Sequence, residues 1–262
     1  MSADATTTTA FAELDLTTTQ RPPMTRLVHV ELRKMVDTRA GMWLMIAMGA
    51  VTVIATTIFG LAGHDQDRRF SNFMQFAGAP QGILLPVLGI LLVTQEWSQR
   101  TAMVTFTLEP HRSRTLAAKV YAALIVGLVA FVIAVGVGAL ATVVFGGTDP
   151  WREVGAVDLL KFGILQFSGI LQGLAFGLLF LNSAFAIVIY FVLPTAFSIL
   201  FNTVPALVDS APWIDFGTAQ GPLGDPGNLS GREWTQLAIT GTLWVILPFL
   251  AGLWRMLRAE VK

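Results

Sequence analysis

Cysteine is absent from the chain, which excludes disulfides, thiolate metal sites and thiol nucleophiles while leaving the compartment open. Charge is scarce as well. Only 13% of the residues are Asp, Glu, Lys or Arg, against roughly 25% in soluble domains. Lys plus Arg and Asp plus Glu stand equal at 17 each, so net charge gives no pull toward nucleic acid, and none is expected as a partner. No GxxxxGK[ST] segment occurs, so the chain does not grip a nucleotide through a P-loop. The Gly136-x-Gly138 pair falls inside an apolar run and reads as a packing feature. No HExxH pattern is present, and His29, His64 and His111 are far apart in sequence, so no metal site is expected. Ser168, within Phe167-Ser168-Gly169, has no intramembrane His or Lys to act as its base and reads as a packing or hydrogen-bonding residue.

What the chain has instead is oil. Of its 262 residues, 54% are hydrophobic, and they gather into runs near the roughly 20 residues that a helix needs to cross a bilayer. Trp43–Leu61 makes a first span within the charge-free stretch Ala40–Gly63. Gly78–Gln95 makes a second, short one, with Pro80 and Pro86 expected to bend or break its beginning. Val120–Phe145 carries no charge at all. Between Lys161 and Asp209 no charged residue appears, a length that suits two spans, at about Leu160–Leu181 and Ala184–Val204, with a turn at Asn182-Ser183. Glu233–Trp254 is the sixth, with Trp234 and Trp254 at its ends, where aromatic rings favour the headgroup zone. The expectation is an all-α polytopic membrane protein of six transmembrane helices. The first 23 residues are Thr-rich, without the basic start and apolar core of a secretory leader, and are expected to form a disordered cytoplasmic tail ending at Pro22-Pro23.

Charge placement sets the expected orientation. Arg21, Arg26, Arg33, Lys34 and Arg39 precede the first span, Arg100, Arg112, Arg114 and Lys119 lie between spans two and three, and Arg255, Arg258 and Lys262 follow the sixth. These are most of the 17 basic residues and all fall on one side. The positive-inside rule makes that side, with both termini, cytoplasmic in a cell inner (plasma) membrane.

Two segments on this side have helical character. Met24–Met42 is amphipathic, with Val28, Leu32, Met35 and Val36 on one face and Arg26, His29, Arg33 and Asp37 largely on others. It is expected to be an interfacial helix lying among membrane lipids. In the loop between spans two and three, Trp97, Thr101, Val104 and Leu108 recur at helical spacing, with Gln99, Arg100 and Thr107 pointing elsewhere. Glu96 is placed at the start of this loop helix, where an acid suits the positive end of the dipole. Pro110 ends it, and His111, Arg112 and Arg114 form a basic cluster. On pattern alone this loop helix is either a membrane-surface anchor or a docking element.

The same residues, Glu96, Thr101, Leu108, Pro110, Arg112-Ser113-Arg114 and Lys119, resemble the signature of ABC-2 type transporter permeases, the membrane subunits of ATP-driven exporters. The resemblance spans about residues 24–262, although its motif character is confined to the segment after span two. It implies that Trp97–Leu108 is a cytoplasmic coupling helix seated on a separate ATPase, with Glu96 at a polar hinge. ATP and Mg would then belong to two copies of that ATPase, the chain holding no cofactor of its own. A second permease subunit, identical or not, would complete the assembly, and the cargo would be an amphipathic or lipidic drug, peptide, lipid or glycan. The alternative is a non-transporting scaffold or an ATP-independent channel.

Three further features are open at this level. Gly169, Gly173 and Gly177 recur every four residues, a spacing that lets helix backbones approach, either within the chain or at a subunit interface. The 205–232 loop is either a plain external loop or, as the resemblance implies, a set of short re-entrant helices whose Trp213, Ile214 and Phe216 form an outer gate. The spans themselves are expected to lack Asp, Glu, Lys and Arg at depth, which argues against proton coupling. Their polar residues, Gln81, Gln166, Gln172, Asn182 and Asn202, either face a cavity or satisfy one another.

Overall fold

The computed structural model describes residues 22–99, 107, 111–152, 155–225 and 227–258. Among these the chain is helical, without strands. Helix α1 (Met24–Asp37) starts directly after Pro23, whose fixed φ suits a helix entry. It ends at Thr38, which swings into extended backbone and whose hydroxyl accepts from the Gly41 N–H to begin α2 (Arg39–Ala62). Helix α3 covers Phe70–Ser98, α4 Arg112–Phe145, α5 Ala156–Phe180 and α6 Ser183–Thr203. The turn between α5 and α6 is made by Leu181 in the left-handed region (φ 52°) and by Asn182, whose side chain accepts from the Phe185 N–H. Two short helices, α7 (Ala211–Ile214) and α8 (Phe216–Gln220), precede α9 (Gly231–Arg258), which contains a π turn at Thr242–Ile246. Ser230 and Glu233 close a capping box at its start.

Helices α2, α3, α4, α5, α6 and α9 are long and apolar enough to cross a membrane, an architecture compatible with a multi-pass membrane protein. Several run past the apolar stretches that announce them. Helix α3 begins at Phe70, eight residues before the expected span, and runs unbroken through Pro80 and Pro86. Proline is tolerated in such a helix when neighbours absorb the lost bond, and the Thr52 hydroxyl of α2 donates to the Ala77 carbonyl (3.2 Å) beside the first one.

The centre of the bundle is the α3/α5 pair. Over their most apolar windows 56% and 61% of the residues are buried, against 11% for α6, which lies at the perimeter. The close approach rests on glycine. A Cβ on Gly173 would sit 2.1 Å from the Pro86 carbonyl oxygen and one on Gly177 3.0 Å from that of Ile90, while Gly169 lies against the Pro86 ring. The glycine stripe thus faces α3 of the same chain. Leu85, Leu88, Ile170, Leu174 and Leu178 fill the space beside it.

The bundle has two unlike ends. One, the α1 end, gathers α1, the end of α3, the start of α4, the α5–α6 turn and the end of α9. There Arg112 donates to the Met256 carbonyl (2.8 Å), Arg255 to that of Leu179 (2.5 Å), and the Thr94 and Ser183 hydroxyls share a hydrogen bond of 2.7 Å. The other, the loop end, holds residues 63–69, 146–152, 204–225 and 227–230. Helices α7 and α8 fold back there against α9: Phe216 packs with Phe176 and Trp244, and the Trp244 indole donates to the Ile214 carbonyl (2.7 Å).

Candidate functional site

Glu31 is the residue of α1 that periodicity alone does not explain. It shares the inward face with Val28, Leu32 and Met35 and is buried with Met35. A lone carboxylate there would be costly, and it is not alone. Glu31 accepts from Lys34 (2.8 Å) one turn later and from Lys119 of α4 (2.6 Å). Lys34 reaches across to Glu96 in the last turn of α3 (2.6 Å), and Lys119 lies 3.4 Å from the other oxygen of Glu96. The four side chains close a ring in which acid and base alternate, with no net charge. Lys119 adds a hydrogen bond to the Leu92 carbonyl (3.0 Å).

Burial decides how this ring acts. The Glu31, Glu96 and Lys119 side chains are almost fully enclosed, while Lys34 is 36% exposed and forms its rim. Charges removed from water hold their ionised state only where geometry and extra hydrogen bonds compensate the lost hydration. Burial pulls the Lys34 ammonium toward its neutral form, but the Glu31 and Glu96 carboxylates outweigh that and hold its pKa above the ordinary lysine value. What the arrangement does is mechanical: it ties α1 at once to α3 and α4, the two helices that lead into and out of residues 99–111.

This placement corrects two expectations. Glu96 does not open a loop helix; α3 continues through Ser98, so Glu96 and Trp97 both belong to its last turn, and Trp97 packs on the main core. The helix persists into polar sequence because its acid is matched by two lysines. Nor are the long helices free of buried charge. Lys119 lies inside α4 and Lys161 inside α5, each at 3% exposure or less. Lys161 donates to the carbonyls of Asp225 and Gly227 (2.8 Å to the latter) and lies 3.5 Å from Asp158. Helices that outrun their apolar stretches draw flanking charges inward, and each charge is kept by a partner from another element or turn.

Of the remaining loop residues singled out from the sequence, Arg112 holds the end of α9 and Arg114 donates to the Pro22 carbonyl (2.6 Å) just ahead of α1. Arg100, Thr101, Val104 and Leu108 lie outside the described residues. On α1, Val28 and Leu32 are half-buried, Val36 is exposed and Arg26 points outward. Arg33 pairs with Asp37 (3.0 Å) on the exposed face. Arg232 stands 5.9 Å from the ring centre of half-buried Trp213 at the loop end. The residues missed by sequence reasoning are Glu31 and Lys34. The available signal was an acid set within the apolar stripe of α1.

No protein-family model matches the chain, and a search of curated proteins returns no match.

Proposed function

We propose that the chain is the transmembrane permease subunit of an ATP-driven exporter, working with a second permease subunit and two copies of a separate ATPase that holds ATP and Mg. The α1 end faces the cytoplasm in this reading, in a plasma membrane, with α1 lying among lipid headgroups. The segment after Ser98 docks on the ATPase as a coupling helix, and α7 and α8 with Trp213, Ile214 and Phe216 stand at the outer gate. The observation that carries the proposal is the closed ring of Glu31, Lys34, Glu96 and Lys119. A push on a flexible loop dissipates. A push on residues between α3 and α4 reaches α1 and both helices together, because one set of buried ion pairs joins them.

The test is co-purification from cells that also express an ATPase encoded beside this chain. The wild type is expected to retain the ATPase, and the double variant Val104→Asp, Leu108→Asp to lose it while keeping its own thermal unfolding transition. Retention of the ATPase by a folded double variant would remove the docking assignment. ATP hydrolysis by vesicles containing this chain alone would remove the subunit reading.

A further inference from the structure

At the loop end, a cleft of about 540 Å³ opens between α3, α5 and the segment after α8, within the roughly 300–1,000 Å³ of small-molecule sites. Its chemistry differs from that of the rest of the bundle. The wall from α5 carries Gln166 and Gln172, α6 contributes Tyr190, and Gln75 and Gln220 stand toward the covering segment. Most of these amides are already anchored. Gln166 donates to Gln81 (2.5 Å), Gln75 to the Gly224 carbonyl (2.9 Å) and Gln220 to the Ser168 hydroxyl (2.8 Å).

Gln172 is the exception. It is 5% exposed, lines the cleft, and makes no hydrogen bond among the described residues. Its amide atoms are not among the fully enclosed polar atoms that lack a partner, so they open onto the cleft and present a donor and an acceptor that no protein group occupies. The Tyr190 hydroxyl on the facing helix is likewise without a hydrogen bond among the described residues, and its ring packs edge-on against Phe176 one turn beyond Gln172. Having donated to the wall, Gln75 and Gln220 keep carbonyl oxygens that accept nothing among the described residues.

These groups define the ligand. An amide and a phenol both donate and accept, as sugar hydroxyls do, and the rim oxygens are acceptors for them. A cation would meet Lys161 and Arg69 on the same walls, and an anion would meet Asp67, Asp158 and Asp225. Lys161 is in addition satisfied by backbone carbonyls. The half-buried ring of Tyr190 supplies an apolar face for the C–H side of a pyranose. We infer that the cleft binds a neutral, hydroxyl-rich ligand, a sugar unit either free or as the headgroup of a glycolipid, with Gln172 and Tyr190 as its inner hydrogen-bonding partners.

The inference does not rest on the transport reading, and its test needs no ATPase. The full chain, purified without sugar-based detergent and placed in phosphatidylcholine nanodiscs, is titrated with maltose and, separately, prepared with increasing glucosyl-diacylglycerol, following thermal unfolding and calorimetric heat. Saturable binding of maltose marks a site for free sugar; binding of the glycolipid alone marks a headgroup site. In either case Gln172→Leu is expected to weaken binding about tenfold and Tyr190→Phe to weaken it in the same direction. Thr235→Val, on an exposed face of α9, should leave it unchanged. Without ligand, Gln172→Leu should unfold no earlier than the wild type, because the amide it removes has no partner. No saturable binding of either probe overturns the inference. So does equal binding in the wild type and whichever of the two cleft variants folds, or heat and stabilisation from phosphatidylglycerol with none from the sugars.

Discussion

Two buried lysines, one at each end of the bundle, show how differently the ends are built. Lys119 is enclosed by two carboxylates from two other helices, Glu31 of α1 and Glu96 of α3. Lys161, equally buried, is held chiefly by carbonyl oxygens of the covering loop. The first joins long helices to one another through full charges, whose attraction grows where water is excluded. The second pins a connecting segment through dipoles, next to a cleft lined by amides and by charges of both signs. The α1 end is therefore suited to moving as a unit and the loop end to receiving a ligand. The difference lies in the partners, since the residue type is the same.

The same substitution at both places breaks the comparison open. Lys119→Met should have the largest effect, because it removes the buried base that Glu31 and Glu96 share. Removing one partner of a buried ion pair typically costs about 3–5 kcal/mol, to be read as a large fall in the thermal midpoint in detergent or as failure to accumulate. Lys161→Met should cost less, about 1–3 kcal/mol, since the carbonyls it abandons belong to a loop that can turn them to water. Equal losses from the two variants would mean that the ring carries no special weight.

The smallest effect concerns pH and the rim of the ring. A lysine whose folded pKa is raised contributes stability that is fully present below the ordinary lysine value and is lost as pH climbs through the folded one. Lys34 is so raised by its two carboxylates, against the opposing pull of burial. Wild type should therefore keep a constant margin in thermal midpoint over Lys34→Met from neutral pH to about pH 9, losing it only above roughly pH 10.4. The margin itself should be modest, because the ammonium is partly solvated and screened. A margin that shrinks already near neutral pH would show that Lys34 is not governed by Glu31 and Glu96.

The long helices were legible because each is announced by an apolar stretch. Their ends were not. Helix α3 starts at Phe70 and α4 at Arg112, each eight residues before the apolar run, because flanking polar residues join a helix when distant groups satisfy them. The amides make the same point. Gln81, Gln166 and Gln172 look alike as polar residues in oily helices, yet the first two bond each other and the third bonds nothing among the described residues. Glu96 and Lys119 were visible as charges beside spans two and three, whereas their partners on α1 are 62 and 88 residues away.

Composition and periodicity by themselves determined that this chain is helical, how many of its helices are long and apolar enough to cross a bilayer, and about where each lies. Those properties are local: a run of apolar side chains either is or is not long enough to bridge hydrocarbon. Only the tertiary structure decided which charges cancel, which glycine faces which backbone and which amide is left without a partner. Ion pairs and hydrogen bonds act over a few ångströms between groups that the chain separates by tens of residues, and nothing in a one-dimensional pattern says which helices will meet.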